Sequence, residues 1–252
     1  MRWIFLRGLT REQRHWGDFP DHFRAANPGA EIVTPDLPGN GERWRERSPT
    51  DIRGMVDRCR SALALGGIAR PFGIVALSLG AMVASDWLRA YPGEVRAAVL
   101  ISTSLRPFSP FYQRLRPRSY PSLLRLLLPG MDARRREQEI LRLTSCRHGD
   151  DAALLADWSR WRRERPVSRL NAVRQLLAAS RYRAVPQRPS VPVLLLAGGG
   201  DRLVDPRCSA RLAAAWQLPL KTHPWAGHDL PLDDPHWVAE TISAWCREID
   251  AG

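Results

Sequence analysis

The sequence predicts an α/β protein with a mostly parallel central sheet, helices on both faces of that sheet and an inserted helical lid. Short apolar runs alternate with segments of helical spacing at both ends of the chain, which is typical of a parallel sheet. In the middle of the chain, segments of helical spacing follow one another with no strand-like apolar run between them. A chain of 252 residues, 44% of them hydrophobic, is also long enough to bury a large core. We therefore predict that residues 1–104 and 190–252 form the core and that residues 105–189 form the lid.

The first part of the core contains four predicted strands with helices between them. Each strand is a short run rich in Val, Ile, Leu or Phe that ends near Gly, Pro or Ser. The helices carry apolar residues three or four positions apart. In chain order, we predict strands at residues 3–6, 31–35, 71–77 and 95–102, and helices at residues 16–26, 52–66 and 81–91.

The lid is predicted to consist of four helices separated by prolines, because proline begins or ends helices. These helices are predicted at residues 120–128, 134–147, 152–164 and 168–181. The strand pattern returns at residues 191–197, a short strand follows from Lys221, and a last helix is predicted at residues 237–249. Helices inserted between two strands would cover the carboxyl edge of the sheet, where ligands bind in open α/β sheets.

A small-x-Ser-x-Gly pattern lies at the end of the third predicted strand. The chain passes there from an apolar run through Ala76-Leu77-Ser78-Leu79-Gly80 into an alanine-rich segment. A sharp strand–turn–helix junction needs small residues beside its serine, because the neighbouring backbone comes into contact at the turn. The pattern therefore predicts that Ser78 is a nucleophile at such an elbow. The alternative is a buried serine in an ordinary turn.

An acid and a histidine follow Ser78 in the order that this kind of serine site requires. Asp201 comes after an apolar strand and three glycines, and His228 follows Gly227. A serine hydroxyl is a weak nucleophile until a histidine accepts its proton, and an aspartate orients that histidine. The three residues are thus candidates for one catalytic triad.

Three other residues compete for the acid and base positions. Asp205 is the alternative acid, but it precedes Pro206 and is predicted to begin the following helix. His223 lies inside the short strand and is predicted to pack in the core. His236 lies near the start of the last helix, where we expect it to cap the helix or to face solvent.

With this ordered set of motifs, the chain resembles the α/β-hydrolase family along nearly its whole length. The resemblance implies that Ser78 is the nucleophile, His228 the base and Asp201 the acid. It also implies an oxyanion hole made by the backbone N–H groups of Leu9 and Leu79.

One residue departs from the family pattern. Arg7 precedes Gly8 where the family usually has histidine. Backbone donors do not depend on that side chain, so the oxyanion hole is expected to survive. The arginine changes the charge and the hydrogen bonding beside the acyl pocket.

The positive charge of the chain is concentrated in the lid. The formal net charge is +12, and residues 105–189 hold 19 arginines against 7 acidic residues, so the lid accounts for the whole excess. This surface is either a solvated helix face or a docking surface for an acidic partner, since positive fields attract polyanions. Few aromatic residues accompany the arginines, which argues against nucleic acid. The candidate docking residues are Arg134, Arg135, Arg136, Arg142, Arg160, Arg162 and Arg163.

An acidic acyl carrier protein, or a coenzyme A thioester with its phosphates, fits this charge better than nucleic acid does. In size and lid position the chain is similar to the pimeloyl-acyl-carrier-protein methyl ester esterases. That likeness implies a carrier-bound ester and a place in biotin biosynthesis.

Several other classes of function are excluded by the composition. The sequence contains no histidine–cysteine cluster with metal-ligand spacing and no glycine-rich phosphate loop, so neither a metal nor another cofactor is predicted. No apolar run is long enough for a membrane span, and the first residues form a strand rather than a signal peptide. We therefore expect a cytoplasmic protein. Its four scattered cysteines are then expected to be free thiols: Cys59, Cys146, Cys208 and Cys246.

The first hypothesis for function is a serine hydrolase that cleaves a carboxylic ester or thioester through an acyl-enzyme. The lid would supply an apolar acyl pocket from residues such as Leu123, Leu127, Leu176 and Leu177. The alternative is a binding protein without catalysis on the same scaffold. A third hypothesis is haloalkane removal, which would need a carboxylate at position 78, so the serine there argues against it.

Overall fold

A six-stranded sheet, with all of its neighbouring strands parallel, runs through the centre of the protein. The computed structural model describes residues 1–127 and 130–251, apart from the side chain of Leu127. The strand order is β2-β1-β3-β4-β5-β6. In chain order the strands are β1 (Arg2–Leu6), β2 (Glu31–Val33), β3 (Phe72–Leu77), β4 (Val95–Ile101), β5 (Val193–Gly198) and β6 (Leu220–His223).

The direction in which strands are added reverses between β1 and β3. The chain places β2 on one side of β1 and all later strands on the other side. At such a reversal the connections leave in opposite directions and open a crevice at the carboxyl ends of the strands. Gly8 follows β1 and Ser78 follows β3 at this point, and a Cβ added to Gly8 would lie 3.3 Å from the Cβ of Ser78.

Helices cover both faces of the sheet, which confirms the predicted fold class. Apolar side chains of α2, α3 and α9 pack on one face, and those of α1 and α11 pack on the other. None of the described helices is long and apolar enough to cross a membrane. The core helices are α1 (Phe19–Ala26), α2 (Ile52–Leu65), α3 (Leu79–Ala90), α9 (Arg207–Trp216), α10 (Leu230–Asp233) and α11 (Pro235–Ala251).

The lid joins β4 to β5, and its described residues add no strand to the sheet. The pattern of alternating prolines and helices was predicted correctly, but a short first helix was missed. Position 128, the predicted end of one helix, lies outside the described residues. The lid helices are α4 (Phe111–Arg114), α5 (Tyr120–Leu127), α6 (Ala133–Thr144), α7 (Ala152–Glu164) and α8 (Arg169–Arg181).

Helix α6 ends three residues earlier than predicted because a buried carboxylate holds the chain after it. Ser145 is already extended, with φ −115° and ψ 143°. Its hydroxyl donates to Asp233 Oδ1 over 2.5 Å, and the Cys146 N–H donates to Asp233 Oδ2 over 3.0 Å. Asp233 is completely buried and also accepts the Gly227 N–H at 2.6 Å. One core residue therefore binds the lid and the segment before His228.

We expect Gly80→Ala to destabilise the fold by about 1–3 kcal/mol, the usual range for overpacking a well-packed core. An added Cβ would lie 2.2 Å from the Leu6 carbonyl oxygen and 2.8 Å from that of Arg7. The measurement is urea unfolding followed by tryptophan fluorescence. Gly93→Ala is the control, because its Cβ would meet no atom within 4 Å. Equal stability of the two variants would contradict the close contact at Gly80.

Candidate active site

Ser78 lies in the turn between β3 and α3 with a strained backbone. Its φ is +56° and its ψ is −111°, in a region that residues other than glycine rarely adopt. Such strain persists only where the surroundings hold it, and it clusters at functional sites. The N–H of Leu79 is the first of α3, and the first N–H groups of a helix have no partner within that helix. The turn can therefore offer both a hydroxyl and a free backbone donor to one ligand atom.

Asp201 and His228 form a buried hydrogen-bonded pair. His228 Nδ1 lies 2.8 Å from Asp201 Oδ2, and the two side chains are only 4% and 3% exposed. Asp201 Oδ1 accepts the N–H groups of Leu203 at 2.8 Å and Val204 at 2.9 Å, which fixes the carboxylate. Donation from Nδ1–H leaves a lone pair on Nε2, the tautomer that a general base needs. The buried Nε2 has no hydrogen-bond partner among the described residues.

Glycines at the end of β5 and just after it allow the His228 loop to lie directly on the end of that strand. A Cβ at Gly198 would lie 2.3 Å from the carbonyl oxygens of both Ala226 and Gly227. A Cβ at Gly200 would lie 2.2 Å from the Trp225 carbonyl oxygen. The close backbone contact brings His228 within reach of Asp201.

The charge of Asp201 prepares His228 to hold a proton. Burial alone would lower the pKa of the imidazole, but the charge and the hydrogen bond of Asp201 outweigh it and raise that pKa. Asp229 raises it further, whereas Arg7 lowers it. An imidazolium formed by proton transfer would thus be stabilised at this position.

Ser78 and His228 line one cavity of about 100 Å³ at the crevice. The loop after β1 forms part of its wall, including Leu9, the predicted oxyanion donor. The lid forms the apolar part. Besides Gly8, Leu77 and Thr10, the wall includes Leu123, Leu126, Ile140, Leu143 and Trp158.

Of the four leucines predicted to form an acyl pocket, one lines the cavity and two do not. Leu123 lines the cavity, whereas the side chain of Leu127 lies outside the described part of the structure. Leu176 and Leu177 of α8 were predicted wrongly, since no described residue of that helix lines the cavity. Helix α8 instead directs Gln175 to the core, where its side-chain oxygen accepts the Thr10 N–H at 2.9 Å.

Sequence reasoning missed an ion pair between Arg7 and Asp229. Arg7 Nη1 and Nη2 donate to Asp229 Oδ1 and Oδ2 over 3.0 and 2.5 Å, and both side chains are 4% exposed. The Arg7 guanidinium also lies 4.8 Å from the ring centroid of Trp16. Both charged residues line the cavity. The arginine in place of the usual histidine was the only signal of this pair.

The competing acid bonds to a neighbouring arginine, and the two competing bases lie outside the described lining of the cavity. Asp205 accepts the Arg207 N–H at 3.0 Å, and hydrogen bonding from the Arg207 side chain lowers the pKa of Asp205. His223 Nδ1 accepts the Ala226 N–H at 3.1 Å, so its ring supports the turn before His228. His236 is exposed.

Two of the seven candidate docking arginines do not belong to an open surface. Arg162 was predicted wrongly: its side chain is 15% exposed and pairs with buried Glu137, because an ionised carboxylate inside the lid needs a cation. Arg136 is half-buried and donates to the Leu126 carbonyl oxygen. The other five are exposed: Arg134, Arg135, Arg142, Arg160 and Arg163.

Several exposed lid arginines have acidic neighbours within the lid. Arg142 lies 2.8 Å from Asp150, and Arg160 lies 2.8 Å from Asp157. Among the described residues, no group of three His, Cys, Asp or Glu side chains is placed to hold a metal ion.

Three solved structures have folds similar to that of this chain. An esterase from Thermogutta terrifontis superposes with a TM-score of 0.76 at 20% identity, covering 99% of this chain and 90% of the other. A lipase-esterase related protein from Clostridium acetobutylicum gives 0.75 at 16% identity, with 96% and 93% covered. A hydrolase from Pseudomonas aeruginosa gives 0.77 at 16% identity, with 97% and 89% covered.

At sequence identities this low, the similarity to these structures shows a common fold and nothing finer. No curated protein matches the chain in sequence. The sequence profile described as "Alpha/beta hydrolase family" matches residues 3–241, which is nearly the whole chain. This protein therefore belongs to the alpha/beta hydrolase family.

Proposed function

We propose that this alpha/beta hydrolase is a serine hydrolase that cleaves a carboxylic ester or thioester through an acyl-enzyme. The observation that carries the proposal is the shared cavity of Ser78 and His228, with Asp201 bound to the far side of the histidine ring. This arrangement supports the roles of nucleophile for Ser78, base for His228 and orienting acid for Asp201, the groups that acyl transfer uses.

In the proposed reaction, Ser78 Oγ attacks the acyl carbonyl carbon while His228 Nε2 accepts the hydroxyl proton. Asp201 holds the ring and stabilises its positive charge. The N–H groups of Leu9 and Leu79 would donate to the oxyanion, whose charge develops beside the start of α3. His228 then gives its proton to the leaving alcohol or thiol. Water repeats the sequence on the acyl-enzyme and releases the acid.

We also propose that the five exposed lid arginines attract an acidic acyl carrier protein. The support is the concentration of the net charge of +12 in the lid, since such a field raises the rate of encounter with a polyanion. The lid also forms the apolar wall of the cavity, so a carrier docked on the lid would contact the same segment that lines the cavity.

Ser78→Ala is expected to abolish ester hydrolysis without unfolding the protein. Loss of a triad nucleophile costs about a million-fold in turnover in a protease of this type. The assay is release of p-nitrophenol from short acyl esters, with circular dichroism as the check on folding. A fluorophosphonate probe should label Ser78 in the wild type. Normal turnover in the variant would rule out Ser78 as the nucleophile, whereas neither turnover nor labelling in the wild type would favour a binding protein without catalysis.

Asp201→Asn should reduce kcat far more than Asp205→Asn. Loss of the orienting aspartate costs on the order of ten-thousand-fold in the same template, because the histidine adopts the wrong tautomer. Asp205 instead bonds to Arg207, so its loss should leave kcat within about tenfold of the wild type, as for a residue away from the chemistry. The reverse ranking would transfer the acid role to Asp205.

Reversal of Arg134, Arg135 and Arg142 to Glu should raise the KM for carrier-bound esters and leave small neutral esters unaffected. A small ester reaches Ser78 without the large acidic body that the arginines attract. The effect should shrink with added salt, since exposed charges are screened over about 8–10 Å at physiological ionic strength. A parallel loss on both substrates would indicate a folding defect of the lid. No loss on either would make the arginines a solvated surface.

A further inference from the structure

A cluster of buried charges joins the lid to the loop after β1. Arg11 Nη1 donates to Glu137 Oε2 over 2.7 Å, and Arg162 Nε donates to the other carboxylate oxygen. The side chains of Arg11, Glu137 and Arg162 are 6%, 1% and 15% exposed. Two guanidinium groups thus share one carboxylate in a nearly dry environment, which leaves one positive charge in excess.

Among the described residues, no second buried carboxylate pairs with Arg11 or Arg162. Arg11 Nη1 lies 2.8 Å from His15 Nε2, and burial together with the charges of Arg11, Arg7 and Arg162 lowers the pKa of His15 well below its usual value, so the ring is neutral. Asp229 is already matched by Arg7. The carboxylate of Glu12 is bound by other arginines, Arg14 at 2.5 Å and Arg165 at 3.4 Å. These two arginines also pair with exposed carboxylates, those of Glu164 and Glu42.

The excess charge lies in the wall of the cavity that contains Ser78 and His228. Arg11 is one of the described residues that line this cavity, and Arg162 is not. Arg11 Nη2 is buried and has no hydrogen-bond partner among the described residues. Its guanidinium lies 4.9 Å from the ring centroid of Trp158, which also lines the cavity. A buried cation with an unmet donor favours an anion at this wall.

We propose that the substrate is an ester whose acyl chain ends in an ionised carboxylate, and that Arg11 binds this carboxylate. This inference rests on the proposed function, because it names the substrate class of the same cavity. A carboxylate matches the planar donor geometry of a guanidinium. Leu123, Leu126 and Ile140 of the same cavity would pack against the methylene groups between the two ends. A cavity of about 100 Å³ suits a short chain rather than a fatty acyl chain.

The test compares kcat/KM for monomethyl adipate and methyl hexanoate, measured as methanol release. The two esters have the same chain and differ in the ionised carboxylate at its end. A charge-assisted hydrogen bond in a buried site predicts that the wild type prefers monomethyl adipate by roughly 10- to 100-fold. Equal rates, or a preference for methyl hexanoate, would overturn the proposal.

Arg11→Met and Arg162→Met form a matched pair of variants. Each removes one positive charge and leaves Glu137 with one arginine. Arg11→Met should lose the preference for monomethyl adipate, and Arg162→Met should keep most of it because Arg11 remains in the wall. An equal loss in both variants would show that the net charge, rather than Arg11, selects the substrate, and would overturn the role of Arg11.

A binding measurement separates this inference from the proposed hydrolysis. Calorimetry with the Ser78→Ala protein should show that monomethyl adipate binds roughly tenfold or more tightly than methyl hexanoate, by the same charge-assisted bond. This holds even if neither ester is hydrolysed by the wild type, a result that would count against the proposed function alone. It also needs no variant of Arg11, so a folding defect there would not decide the outcome. Equal binding of the two esters would overturn the inference.

Discussion

Backbone contacts that only glycine permits hold the candidate site together, because loops from distant parts of the chain meet at one edge of the sheet. A Cβ at Gly80 would lie 2.2 Å from the Leu6 carbonyl oxygen, and one at Gly198 would lie 2.3 Å from that of Ala226. The first contact sets the loop after β1 beside Ser78, and the second sets the His228 loop beside Asp201. Side chains at either glycine would separate groups whose hydrogen bonds weaken steeply with distance and angle.

Arginine suits the interior of this protein because its charge is permanent and its donors lie in one plane. Arg7 uses that plane to bind both oxygens of Asp229, and Arg11 stacks on Trp158 while it binds Glu137. A lysine could offer neither the paired donors nor the flat stacking surface. The one lysine of the chain, Lys221, is exposed. The two arginines therefore give the cavity wall positive charge together with a fixed, planar arrangement of hydrogen-bond donors.

Short-range patterns were sufficient to predict the sheet, the turn at Ser78 and the candidates Asp201 and His228, since each of these residues follows a strand end with distinctive neighbours. The ion pairs could not be predicted in this way. Arg7 and Asp229 are 222 positions apart, and Arg11 and Glu137 are 126 positions apart. Helical spacing likewise identified the lid helices without showing which faces turn toward Ser78, so Ile140 was missed while α8 was wrongly included.

The carboxylate of Asp233 has a consequence for how such proteins can be recombined. It binds Gly227 on the loop before His228 and also Ser145 and Cys146 of the lid, while the Asp229 N–H donates to the Thr144 carbonyl oxygen. The lid is thus not an independent module that can be exchanged at its two sequence boundaries. A chimera that takes residues 105–189 from a relative would also need a compatible segment around residues 226–234. Otherwise the foreign lid would reposition the imidazole together with the acyl pocket.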